Sequence, residues 1–215
     1  MRLVDMPKIK EKAIIQLDPD EVANLLDYIE NYGSQLSGVQ LYHYNKQKYR
    51  DLAIITLLLG TGVRVSELVG LNIGDVDFKN NGIRILRKGG NEMIVYFGQE
   101  VEKALTDYLE LSRNGITPVA GHEEALFLSG QRKRISVDAV EKMVKKYASA
   151  VSVKTITPHK LRSTYGTALY RETGDIYLVA SVLGRNDVNT TRKHYAAQED
   201  ERKRRARNVV KLREE

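Results

Sequence analysis

The chain has 215 residues, 42% of them hydrophobic, no cysteine, and 34 Lys and Arg against 28 Asp and Glu, a formal net charge of +6. It is long enough to bury one sizeable core, and the lack of cysteine excludes disulfides, thiolate metal centres and cysteine nucleophiles. Its four histidines are widely spread, which argues against a metal cluster, and the basic balance favours a polyanionic partner.

Residues 1–17 are charged and aperiodic until AIIQL and read as a linker remnant or N-terminal extension. Asp18-Pro19-Asp20-Glu21 then combines a capping carboxylate, a first-turn proline and further acids, predicting a helix over residues 19–32. Residues 33–45, rich in glycine, serine and polar aromatics, read as a loop or insertion. The apolar run that follows predicts a helix over residues 46–59, buried on all sides. Gly60-Thr61-Gly62 interrupts it, and VRVSELVGL restarts a helix with Arg64 in its first turn.

The periodicity then changes. Residues 75–78, 82–86 and 92–97 are short and β-branched, and Asn80-Asn81-Gly82 and Gly89-Gly90-Asn91 punctuate them. This predicts a three-stranded antiparallel sheet with tight turns, Lys88 lying at the second turn. From residue 99 helical spacing returns, with Val101, Ala104, Leu105, Tyr108 and Leu109 on one face, before a breaker region over residues 114–121. ALFLS is a short apolar strand or connector. Residues 136–150 carry a stripe at Val137, Val140, Met143, Val144 and Tyr147, with Ser136 as cap. Thr157-Pro158 opens a helix to residue 173, Asp175 opens one ending at Gly184, and a short helix over residues 188–194 leads to Tyr195. Residues 198–215 form a charged helix or tail. The fold class is mainly α with a small three-stranded antiparallel sheet.

The longest apolar run, residues 52–59, is too short to cross a bilayer, and the N-terminus lacks a signal-peptide core, so a soluble cytoplasmic protein is expected. Three segments, TGVRVSEL, RKGGN and TPHKLRSTYGT, place basic side chains at a helix start or tight turn, where backbone N–H groups favour an anion. Arg64 and Glu67 are three apart on one helical face, so the carboxylate orients the guanidinium or braces the loop. His159 and Arg162 repeat that spacing at the start of a capped helix. Converging guanidiniums suit a phosphodiester, because each planar fork grips two phosphate oxygens. Taken singly, Arg64 reads as a surface residue, His159 as a structural histidine and Lys88 as a solvated turn residue. Their order along the chain separates them from those readings.

Arg64 in TGVRVSEL, Lys88 in a β-turn, His159-Lys160-Leu161-Arg162, Leu183-Gly184-Arg185 and Tyr195 at the end of TTRKHY occur in that order. Over residues 18–197 the chain therefore resembles the catalytic domain of the tyrosine recombinase, or phage integrase, family. The resemblance implies an enzyme that cleaves and rejoins double-stranded DNA through a 3′-phosphotyrosine on Tyr195. It implies phosphate and transition-state stabilisation by Arg64, Arg162 and Arg185, proton handling by His159, general acid catalysis by Lys88 and support from Glu67. No metal, ATP or organic cofactor is implied. It also implies a homo-oligomer on DNA, a tetrameric synapse in which the segment beyond the tyrosine docks on a neighbouring protomer.

Three departures accompany the resemblance. The family usually carries His or Trp where this chain has Arg185. The gap from Arg185 to Tyr195 is one residue longer than in many members, which would put His194 at the nucleophile's place, but mobile-element integrases often have the longer spacing. The N-terminal helical domain usual in the family does not precede the catalytic domain, so the chain reads as a fragment or a minimal protein. Type IB topoisomerase-like relaxation, and a DNA-binding or assembly module that has lost cleavage, remain the alternatives, the latter motivated by Arg185.

Overall fold

The computed structural model describes residues 15–87 and 90–184. Helix α1 (Pro19–Asn31) begins where the DPDE segment predicts. Asp18 Oδ1 accepts from the Glu21 N–H at 3.0 Å, and Glu21 Oε2 accepts from the Asp18 N–H at 2.9 Å, a reciprocal cap for two donors that a helix start leaves orphaned. Just before it, Leu17 is buried and its N–H donates to Thr164 Oγ1 at 3.0 Å.

Helix α2 (Gly38–Thr61) starts at Gly38, which corrects the loop expected over residues 33–45. The loop is confined to a short 3₁₀ turn, Tyr32–Gln35, and the two residues after it. Tyr44 supplies the reason. It is buried against the end of α1, its hydroxyl lying 2.8 Å from the Ile29 carbonyl and 2.6 Å from that of Glu30. A side chain at Gly33 would overlap the Tyr44 ring. Tertiary packing thus winds a segment whose polar composition resembles a loop. Further along α2, Ala53, Ile54, Ile55, Leu57 and Leu58 have no solvent exposure, as expected of an all-apolar run.

After Gly62 the chain forms α3 (Val65–Gly70), then an antiparallel sheet of β1 (Val76–Asp77), β2 (Gly82–Leu86) and β3 (Glu92–Tyr96) in the order β1-β2-β3. Val76 pairs with Ile83, and Ile83 with Val95. Ile83, Ile85 and Val95 point into the core, while Arg84, Leu86, Ile94 and Tyr96 face outward, the period-two alternation of a half-buried sheet. Helix α4 (Gln99–Leu111) follows and packs on α2. Ala125, Leu126, Phe127 and Leu128 are all buried but join no strand of the sheet, making only isolated bridges through Ala125 to Asn72 and Leu128 to Arg134. ALFLS is therefore a connector.

Helix α5 (Val137–Val151) is capped by Ser136 Oγ, which accepts from the Ala139 N–H at 3.2 Å. Helix α6 (Pro158–Thr173) packs on α2, and α7 (Ile176–Val182) follows under an Asp175 cap that accepts from the N–H groups of Tyr177 and Leu178. Thr157 departs from expectation, since its side chain makes no capping bond and the start of α6 relies on Pro158. Buried Asp51 links three parts of the fold. It accepts from the Tyr147 hydroxyl at 3.0 Å and from Arg50 at 2.6 Å, and Arg50 also donates to the Leu128 carbonyl. The helix expected over residues 188–194 and the tail over residues 198–215 lie outside the described residues. Among the described residues no helix is long and apolar enough to cross a membrane.

Burial works to raise the pKa of Glu21, but bonds from the Lys154 ammonium, the Asp18 N–H and the Ser152 hydroxyl outweigh it and lower the value from 4.5 to about 2. A carboxyl whose pKa is depressed by folding stabilises the protein above its unfolded value, and that contribution is lost as pH falls. Glu21→Gln is expected to lower the melting temperature at neutral pH and to flatten the loss of stability between pH 4.5 and about 2. Thermal melts of both proteins across that range check it.

Candidate active site at the end of α7

Where α7 ends, the carbonyls of three consecutive residues, Val182, Leu183 and Gly184, lie at the negative end of its dipole. Each accepts from a different arginine. Arg87, just beyond β2, donates Nη2 to the Val182 carbonyl at 2.9 Å. Arg162, from the second turn of α6, donates Nη2 to the Leu183 carbonyl. Arg64, at the start of α3, donates Nη2 to the Gly184 carbonyl at 3.2 Å. Three elements distant in sequence are thus gathered at one turn.

Arg162 is 5% exposed and its Nη1 donates to the Gly62 carbonyl. Gly62 has φ 64 and ψ 24, and the Tyr165 ring and Leu183 side chain fill the space a Cβ would need. The break between α2 and α3 therefore requires glycine twice over, for backbone angle and for room. Its carbonyl is what Arg162 holds.

Glu67 is buried, and both roles expected for it are present. Its Oε1 accepts from Arg64 Nη1 at 2.7 Å, and its Oε2 accepts from the Arg64 backbone N–H at 2.7 Å. One carboxylate orients the guanidinium and braces the helix start. The Arg64 side chain remains 41% exposed, so its guanidinium is pinned on two sides while still facing solvent. A guanidinium has five N–H donors, and the hydrogen bonds to Glu67 and Gly184 among the described residues use two of those of Arg64.

Arg87 is the member that sequence reasoning missed. Beside a glycine-rich turn it resembles a solvated residue, yet Ile83, Ile85 and Arg87 share the period-two face that points inward, and that alternation is the signal that identifies it. Its side chain is 16% exposed, with Nε 3.9 Å from Glu67 Oε1. Burial pulls its pKa below the ordinary arginine value; the Glu67 carboxylate opposes that shift and the Arg64 cation reinforces it.

His159 occupies the second position of α6, exposed and one turn before Arg162. Of the residues anticipated for the site, Arg64, Glu67 and Arg162 are brought together at the α7 terminus. Lys88, Arg185 and Tyr195 lie outside the described residues. Among the described residues no cluster of His, Asp and Glu is arranged to hold a metal ion.

An arginine cluster on a mainly helical scaffold with a three-stranded sheet defines a class suited to a phosphodiester ligand. The model of the phage integrase family matches residues 16–202, and the chain belongs to that family. It is similar to the tyrosine recombinase XerS of Streptococcus pneumoniae, 40% identical over 199 residues that cover 91% of this chain and 54% of that protein. XerS of Streptococcus thermophilus is 38% identical over the same shares. The chain thus spans about half the length of the curated relatives it matches. Among solved structures, XerA recombinase superposes with a TM-score of 0.71 at 30% identity, over 85% of this chain and 60% of that one. The Tn1549 transposon integrase in complex with circular intermediate DNA gives 0.64 at 25%, over 90% and 68%. The fold is that of a tyrosine recombinase catalytic domain.

Gly184 has φ 56, and a Cβ there would overlap the Arg87 guanidinium. Gly184→Ala is expected to cost at least about 1–2 kcal/mol, the penalty for a side chain in the left-handed region, before the displacement of Arg87 is counted. Chemical denaturation of the two proteins measures it; an unchanged midpoint would contradict the close packing.

Proposed function

We propose that the protein is a site-specific DNA recombinase, active in integration or excision, that cleaves and rejoins DNA through a 3′-phosphotyrosyl bond to Tyr195. The observation that carries the proposal is the pair Arg64 and Arg162, held on the adjacent Gly184 and Leu183 carbonyls. Two fixed guanidiniums side by side suit the charge of a phosphoryl transition state, where preorganised cations act without reorganising. The names of the relatives support the activity, and the complex of XerH with its difH substrate, like that of the Tn1549 integrase with DNA, supports DNA as substrate.

In the proposed step the Tyr195 oxygen attacks the scissile phosphorus and gives up its proton, with His159 handling protons or bonding a phosphate oxygen. The bond from phosphorus to the 5′ oxygen breaks, and Lys88 supplies the proton that the leaving 5′ oxygen takes. Arg64, Arg162 and Arg185 hold the non-bridging oxygens, and Glu67 keeps Arg64 in place. The phosphotyrosine conserves the ester, so a 5′ hydroxyl from a partner strand restores DNA by the reverse attack. As written the cycle balances without metal, ATP or organic cofactor. The proposal includes the domain organisation read from the sequence, with residues 1–17 as linker, 18–197 as catalytic domain and 198–215 as a tail. It also includes a tetrameric synapse in which that tail docks on a neighbour.

Incubation with nicked cognate DNA is expected to give a covalent complex that survives SDS, is abolished by Tyr195→Phe and is unaffected by EDTA. Arg64→Ala is expected to slow its formation by about 100- to 1,000-fold, the usual effect of removing one charge-stabilising donor. Covalent product that persists in Tyr195→Phe would move the nucleophile elsewhere. Arg185 favours one second reading, a DNA-binding or assembly module impaired in cleavage; no complex from the wild type, with activity restored by Arg185→His, would select it.

A further inference from the structure

Arg87 lies outside the machinery named above, yet both its backbone and its side chain are committed at the site. Its backbone closes the turn between β2 and β3: the Arg87 N–H donates to the Asn91 carbonyl at 2.9 Å, and the Arg87 carbonyl accepts from the Gly90 N–H at 3.1 Å. Its side chain leaves the sheet, donates to the Val182 carbonyl, covers the face of Gly184 where a Cβ would stand, and meets Glu67. One residue is thus fastened at its backbone to the hairpin and at its guanidinium to the end of α7.

For stability alone this is a poor choice. The guanidinium is largely buried, its Nε has no hydrogen-bond partner among the described residues, and it shares the space with the Arg64 cation. A buried donor without an acceptor costs free energy that an apolar side chain of similar length would avoid. The gain from arginine is a rigid fork that spans Glu67 and the α7 terminus together. We propose that Arg87 is a positioning residue that locks the root of the β2–β3 hairpin to the end of α7, and that proton donation by the next residue in sequence, Lys88, depends on that lock. This rests on the strand-transfer chemistry of the proposed function. It adds that the end of β2 and the end of α7 are held together by one side chain.

The test is single-turnover cleavage of two nicked DNA substrates, one with the ordinary bridging 5′ oxygen and one with sulfur in its place. A 5′ thiolate leaves without being protonated, so a defect in delivering the proton is repaired by sulfur, whereas a general loss of site structure is not. Arg87→Gln is expected to slow cleavage of the oxygen substrate by about 100-fold, the scale of loss from a small misplacement of a catalytic group. Its rate on the sulfur substrate should stay within about threefold of wild type, because proton delivery no longer limits the step. Arg87→Lys keeps a cation beside Glu67 and guards against a folding failure; with its fork lost it should be about 10-fold slow on oxygen and likewise repaired by sulfur. Equal losses on both substrates, or wild-type rates on both for either variant, would overturn the assignment while leaving the proposed function standing. A wild type inert on both substrates would overturn the proposed function and this assignment with it.

Discussion

The structure of the site depends on the capture of the carbonyls at the α7 terminus by three arginines. Helix ends expose acceptors and a partial negative charge, and most proteins satisfy them with water, a glycine cap or a lysine. Here the acceptors of Val182, Leu183 and Gly184 fix guanidiniums that arrive from β2, α6 and α3. Three cations so close repel one another, and Glu67 is the carboxylate placed to reduce that repulsion through Arg64 and Arg87. Among the described residues the three cations face one carboxylate, and this surplus of positive charge disposes the cluster towards an anion, most directly at Arg64, which faces solvent.

The scaffold explains how such a cluster stays in place. The apolar middle of α2 anchors the core, and its helix ends at a left-handed glycine whose carbonyl points to Arg162. The same turn places Arg64 at the start of α3. A second left-handed glycine, Gly184, gives Arg87 its room. Two positions without side chains therefore define the spacing of three long ones. Elsewhere on α2, Asp51, Tyr147 and Arg50 tie that helix to α5 and to the connector through Leu128, so the scaffold is hydrogen-bonded as well as packed.

Much of this was legible in the sequence because local chemistry and tertiary structure agree. The Asp18 and Asp175 caps, the glycine break at Gly62, the hairpin punctuation and the apolar stripe of α5 each act within a few residues, and the elements these signals predict are present among the described residues. Local composition failed at residues 38–45, where contact between Tyr44 and α1 overrides a polar, loop-like segment. In the site, the motif spacing of Arg64 with Glu67 and of His159 with Arg162 was readable as helix geometry. The use of those arginines was not, because backbone carbonyls carry no sequence signature. Arg87 was visible only through strand alternation, which its polar character disguised.

The measurement that bears most directly on this account is a structure of the Tyr195→Phe protein bound to DNA containing its cleavage site. Arg64 and Arg162 are each expected to place an N–H on an oxygen of the scissile phosphate while keeping their bonds to the Gly184 and Leu183 carbonyls. A complex with the phosphate seated away from both arginines, or with both carbonyl bonds broken in order to reach it, would contradict the claim that the end of α7 organises the site.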